Sequence, residues 1–262
     1  MSRNPYITPS SLVSLHDSMS AEEWAVMHDV ETMRLATAGH LQRLHALRTE
    51  LRVRSFRRLL QRLHDKQVLF RLGERTVGGR RGGSAGWVYG IGIAGQRLLQ
   101  HPPRRPWTPR PSWLAHALAA GHLYVELREA EAVRRLTIDT FESEPKCWRH
   151  YEALGGGIID LKPDAFIRLV GGDYEDSFFV EWDTGTESPS TLSRKLDVYT
   201  AAWKTGQEQA ETGVFPFVLW LVPDERRADL MRTVIVRQHD AAQLHRVATH
   251  DQALNAFIEE PP

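Results

Sequence analysis

Apolar residues recur at helical spacing in three successive segments, after which the pattern shortens to strand-length runs. Ser20-Ala-Glu-Glu23 carries the Ser-x-x-Glu signature of a capping box, and Trp24, Val26, Met27 and Val30 follow it through Met33. A second helix is predicted over 37–47, with Leu41, Leu44 and Leu47 inward. A third, from about residue 55 or slightly earlier to 66, aligns Phe56, Leu59, Leu60 and Leu63 on one face. Residues 68–72 then read as a short strand, 73–86 as a Gly- and Arg-rich tip, and 87–93 as a returning strand. Residues 1–20, polar with Pro and Ser, are expected to be an irregular arm.

Residues 101–111 hold five prolines, so they predict a stiff linker and a boundary. Helical spacing returns over 112–136, a strand pattern over 137–141, and a polar stretch over 142–151. Two apolar runs, 161–170 and 178–182, flank Gly171, Gly172, Asp173 and Asp176 and predict a β-hairpin. A helix is expected over 190–205 and a buried central strand over 215–222. Beyond these come a helix over 224–234, a short strand at 234–236, and helical patterning over 240–246 and 251–258. The second half therefore alternates strands and helices as an α/β domain does. The expected organisation is an arm (1–20), a first domain (21–100), a linker (101–111) and an α/β domain (112–262).

The chain of 262 residues has zero formal net charge, but the charge is unevenly placed. From Arg34 to Arg110 there are 17 Lys or Arg against three acids, which leaves 16 against 30 elsewhere. Such asymmetry points to a nucleic-acid-binding segment joined to a part of different purpose. The candidate contacts are Arg52, Arg54, Arg57, Arg58 and Arg62 around the third helix, with Arg75, Arg80 and Arg81 in the tip. Three helices followed by a hairpin with a basic tip is the order of a winged helix-turn-helix, whose third helix lies in the major groove of duplex DNA. A solvated basic helical surface is the plainer alternative. One cysteine, Cys147, forms no internal disulfide, and no apolar run is long enough to span a membrane, so a cytoplasmic protein is expected.

Chemistry concentrates in the hairpin. Asp164 follows Pro163 at the start of its first strand; Glu181 and Asp183 stand two apart in the second and share a face. Three carboxylates at one sheet edge would suit a hard divalent cation, magnesium or manganese. The same alternation also suits a half-exposed strand, with Val180 and Trp182 inward and both carboxylates in solvent. The spacing resembles the core of the PD-(D/E)xK nucleases, in which an Asp and a Glu-x-Lys hold the metal and the attacking water. Asp183 stands where that motif has lysine, and Lys195 on the following helix is the candidate substitute. Glu142 and Glu144 are weaker candidates for a further carboxylate. Cys147 and the twelve histidines show no metal-ligand spacing, and Gly155-Gly-Gly157 has no following Lys-Ser/Thr for a phosphate loop.

The chain also resembles the replication-relaxation proteins of plasmids and integrated elements. The matching residues are Val88–Leu99, the segment 116–127, Leu161-Lys-Pro-Asp164, Glu181-x-Asp183-x-Gly185-Thr-Glu187 and Arg194-Lys-Leu-Asp-Val-Tyr199. The resemblance implies a winged helix followed by a nuclease-like α/β domain, and a role in plasmid replication and relaxation with duplex DNA as partner. A homodimer, or contact with plasmid replication or transfer proteins, fits the same setting. Two other functions stay open: a metal-dependent endonuclease or nickase using Asp164, Glu181, Asp183 and Lys195, and a transcription regulator whose acidic second half dimerises or binds a partner. The Asp at position 183 weighs against cleavage, because it adds negative charge where the motif has an ammonium.

Overall fold

The computed structural model describes residues 7–50, 53–72, 86–102, 109–171, 174–237 and 239–258. The chain divides into two compact units, Met1–Val125 and Glu126–Pro262. It is a mixed α/β protein.

The first unit begins with α1 (Pro9–Ser18) and α2 (Ala21–Met33). Residues 1–20 are thus not wholly irregular. Thr8 accepts from the Ser11 amide, and Pro9 supplies a preset φ at the first helical position, so local capping makes a helix that buries no residue. Ser20 and Glu23 close the expected capping box at 3.2 and 3.1 Å. Next come β1 (Ala36–Thr37), α3 (Ala38–Ala46) and α4 (Val53–Asp65). Then β2 (Leu69–Arg71), β3 (Val88–Ile91), α5 (Ile93–Leu98) and α6 (Pro111–Ala132) follow, α6 running through the Val125/Glu126 boundary. The strands form an antiparallel sheet in the order β1-β3-β2. Val26, Met27, Val30, Leu41, Leu44, Phe56, Leu59, Leu60 and Leu63 are buried, so the apolar faces of α2, α3 and α4 form the core; Leu47, expected inward, instead caps the end of α3 and is 42% exposed. Gly92 admits no side chain: a Cβ there would lie 2.2 Å from the Gln67 carbonyl oxygen, so glycine lets β3 turn into α5 against the α4–β2 connection.

The second unit is built on a five-stranded mixed sheet. Its strands are β4 (Thr137–Ser143), β7 (Ala165–Gly171), β8 (Tyr174–Trp182), β9 (Phe217–Val222) and β10 (His245–Thr249), in the order β10-β9-β8-β7-β4. The expected hairpin is present as the antiparallel pair β7–β8, with Phe166 opposite Phe179 and Ala165 opposite Val180. The apolar run at 215–222 supplies β9, which lies between β8 and β10 and runs parallel to both. A separate hairpin, β5 (Arg149–Glu152) with β6 (Ile158–Leu161), was not expected; β5 begins inside the stretch read as polar, and β6 lies beyond it.

The helices of this unit are α7 (Pro189–Thr205), α8 (Gln207–Thr212), α9 (Glu225–Arg237) and α10 (Asn255–Ile258). Leu192, Leu196 and Tyr199 of α7 and Ala228, Met231 and Val234 of α9 pack with Phe179 and Trp220 in one buried cluster. This fixes the face of the sheet that α7 and α9 cover. Two expectations fail here. Val234–Val236 are the last turns of α9 rather than a strand, since Val234 and Ile235 are buried at helical spacing. Residues 240–246 begin as a 3-10 turn but turn into β10, because pairing with β9 overrides the weak local helical pattern. Among the described residues no helix is long and apolar enough to cross a membrane.

Candidate functional site

The basic surface and the carboxylate cluster fall in different units. On α4, Phe56, Leu59, Leu60 and Leu63 are buried while Arg54, Arg57, Arg58 and Arg62 are exposed. That split follows from helical geometry, since the four arginines occupy the positions between the apolar stripe. Arg54, Arg57 and Arg58 have no ion-pair partner among the described residues. Arg62 is partly engaged: its Nε lies 3.3 Å from Glu23 Oε1, and Lys66 reaches the same carboxylate at 3.4 Å. Arg52, Arg75, Arg80 and Arg81 lie outside the described residues.

In the second unit the cluster stands at the end of β8. Residues 179, 181 and 183 share a face, and Phe179 packs with α7 and α9, so Glu181 and Asp183 point under those helices. Both are buried, at 6% and 4% exposure, which excludes the solvated-face alternative. A buried carboxylate needs partners. For Glu181 these are the Tyr199 hydroxyl, donating to Oε1 at 2.7 Å, and the Lys195 ammonium, donating to Oε2 at 3.1 Å. Lys195 and Tyr199 are four apart on α7 and so face the same carboxylate. The ammonium also lies 3.2 Å from Glu187 Oε1.

Asp183 is held differently. Arg227 of α9 donates to both of its oxygens, through Nε to Oδ2 and through Nη2 to Oδ1. The Gly185 amide adds a bond to Oδ1 at 2.8 Å, and Arg227 Nη2 also donates to the Glu187 carbonyl at 2.9 Å. Gly185 adopts φ +81°, which lets the chain curl back over Asp183. Behind the strand, Trp182 stacks on His250 at 3.9 Å, and His250 Nε2 faces the Asp183 and Leu221 carbonyls, each at 3.1 Å. Two acceptors require that Nε2 carry the proton.

Asp164 lies just ahead of β7, its amide bonded to the Val180 carbonyl and its Oδ2 accepting from the Trp182 amide at 2.6 Å. Glu142 is paired with Arg149 at 2.9 Å, and Glu144 precedes cis Pro145. Buried Cys147 donates to the Pro163 carbonyl, which ties the segment before Asp164 to the core.

Burial dominates the electrostatics. It pushes the Glu181 carboxyl up to about 7, with Asp164 adding to the rise, against the opposing pull of Lys195 and the Tyr199 hydrogen bond. Burial alone would lower Lys195, but the Glu181 and Glu187 carboxylates outweigh it and hold the ammonium protonated well past its usual range. Burial raises Tyr199 too, with the Glu181 charge acting in the same direction, so it remains a donor.

The sign of one pH effect follows. The folded Glu181 carboxyl keeps its proton to higher pH than its unfolded counterpart, so the stability it contributes is present in acid and is lost as pH rises from about 4.5 to about 7. Glu181→Gln is expected to remove a component of up to about 3 kcal/mol from the pH dependence of unfolding in that window. Denaturant midpoints at a series of pH values check this; parallel curves for variant and wild type refute it.

The resemblance stated above calls for magnesium or manganese at Asp164, Glu181 and Asp183. The residues do not fit that ion: an ammonium and a hydroxyl take the oxygens of Glu181, and a guanidinium and an amide take those of Asp183. Among the described residues no group of three or more His, Cys, Asp and Glu side chains is arranged to hold a metal ion. Sequence reasoning missed Arg227 and Tyr199. The i, i+4 spacing of Lys195 and Tyr199 was a usable signal; Arg227, 44 residues beyond Asp183, had none.

A mixed α/β protein with a cation-paired carboxylate cluster at the end of a central strand is the class these features define. The replication-relaxation family matches residues 27–218, and the chain belongs to that family. No curated protein matches it in sequence. Among solved structures, the restriction endonuclease FokI bound to DNA aligns at 12% identity and TM-score 0.28, over 90% of this chain and 44% of that one. A second structure of the restriction endonuclease FokI aligns at 14% identity and TM-score 0.26, over the same shares. The chain spans less than half the length of either.

Proposed function

We propose that this is a double-stranded DNA-binding protein of plasmid or mobile-element replication and relaxation, whose first unit reads DNA as a winged helix-turn-helix and whose second unit is a nuclease-like core that does not cleave. The observation that carries the first half is the outer face of α4, where Arg54, Arg57 and Arg58 are exposed and unpaired among the described residues. Arginines spaced along one helix above a packed apolar stripe suit the phosphates bordering a major groove. The order α2-β1-α3-α4-β2-β3 and the sheet order β1-β3-β2 support the same reading. For the second unit, the support is that cations of the chain already neutralise Glu181 and Asp183.

A second reading keeps one specific observation in its favour. Lys195, 3.1 Å from Glu181, stands beside the carboxylate as the lysine of a Glu-x-Lys motif would, which suits an endonuclease or nickase. One experiment separates the two. Supercoiled plasmid is incubated with the protein and magnesium or manganese, then resolved with and without deproteinisation. Retarded plasmid that returns to the supercoiled form is the expected result. Absence of retardation would refute DNA binding, and metal-dependent nicking lost in Glu181→Ala and Lys195→Ala would establish the endonuclease.

A further inference from the structure

We propose that Lys195 is the resident cation of the carboxylate cluster, seated between Glu181 and Glu187, and that it makes the second unit independent of divalent metal. This rests on the non-cleaving reading of that unit and adds how the acids are kept neutralised.

Two carboxylate oxygens approach the ammonium at 3.1 and 3.2 Å, one from β8 and one from the loop before α7. A bridging cation would take that position, and the ammonium fills it with donors already directed at both acids. The remaining acid of the motif is removed from the set: Asp183 has both oxygens on Arg227, its side chain 1% and that of Arg227 11% exposed. Arg227 is a forked, two-point partner, whereas Lys195 is a point charge on a flexible stem, 36% exposed. Of the two internal cations, Lys195 is therefore the one whose loss would open the cluster. Without it Glu181 and Glu187 would lose the ammonium they share, and Asp164 already raises the proton affinity of Glu181. Carboxylates in that condition recruit a divalent cation or a proton.

The test uses manganese alone, without DNA. Wild type is expected to show no saturable Mn2+ binding by calorimetry and no rise in melting temperature at about 5 mM MnCl2. Lys195→Met, which keeps the stem and removes the charge, is expected to bind one Mn2+ at least about tenfold more tightly than wild type. Adding Glu181→Gln to that variant should abolish the gain, and Lys195→Arg should still exclude the metal. Saturable binding by wild type, or no gain in folded Lys195→Met, overturns the proposal. If Lys195→Met does not fold, the wild type still decides: acylation of Lys195, followed by mass spectrometry, should proceed at the same rate with and without Mn2+. A rate changed by metal overturns the assignment. Because no DNA is present, plasmid cleavage by a protein that excludes Mn2+ would sink the non-cleaving reading and leave this one standing.

Discussion

Replacing Arg54, Arg57, Arg58 and Arg62 with alanine is expected to lower affinity for duplex DNA by at least about a hundredfold at moderate salt, with the fold intact. Each lost phosphate contact should also reduce the log–log salt slope by about 0.9, so the variant should be both weaker and less salt-sensitive. The fold should survive because these side chains are exposed, the buried stripe of Phe56, Leu59, Leu60 and Leu63 is untouched, and alanine is the better helix former. Arg62 differs from the other three because it also neutralises Glu23, which would retain Lys66. The triple variant sparing Arg62 should therefore keep most of the loss. Fluorescence anisotropy over a salt series, with circular dichroism to confirm folding, measures both effects. Unchanged affinity in a folded quadruple variant would remove α4 from the DNA interface.

The largest stability effect is expected at Arg227. Its removal strands the Asp183 carboxylate, buried and still hydrogen-bonded to Gly185 but without a counter-ion. Breaking a buried pair from one side costs about 3–5 kcal/mol, because the remaining charge stays desolvated. Arg227→Ala should therefore lower the melting temperature by roughly 10 °C. Arg227→Lys should recover only part, since one ammonium cannot reproduce the two-point bond and the contact to the Glu187 carbonyl. Adding Asp183→Asn to Arg227→Ala should restore more stability than the single substitutions imply, which a double-mutant cycle reads directly. A loss below about 1 kcal/mol for Arg227→Ala would mean that Asp183 finds water or another partner.

What could be read in the sequence follows from how local the cause is. The apolar stripe of α4, the capping box of α2, the β7–β8 hairpin and the continuous run of β9 are each set by neighbours within a few residues. β10 was not legible, because His245-Arg-Val-Ala-Thr249 is a strand only by virtue of pairing with β9. Val234–Val236 misled in the opposite sense: three β-branched residues suggest a strand, yet burial of Val234 and Ile235 against the sheet keeps them helical. The site divides along the same line. That Glu181 needs a partner is evident from a carboxylate inside an apolar strand, and Lys195 is close enough in sequence to be nominated. The fate of Asp183 depends on Arg227, whose position is fixed by α9 packing on the same sheet face as Phe179, and no short-range pattern encodes it.

The segment shared with the family ends at residue 218, two residues into β9. What covers the side of that strand away from β8 comes later: β10 pairs along it from His245 to Thr249, and His250 bonds the carbonyl of Leu221. A chain cut at the end of the shared segment would lose most of β9, and with it the parallel partner that β8 uses from Phe178 to Trp182. A chain cut just before β10 would instead leave Phe217-Val-Leu-Trp-Leu-Val222 as an unpaired edge, an uncharged, strongly apolar ribbon of the kind that templates self-association. β10 therefore acts as a molecular selvedge: it borders the apolar strand β9 and keeps that strand from recruiting a neighbour's.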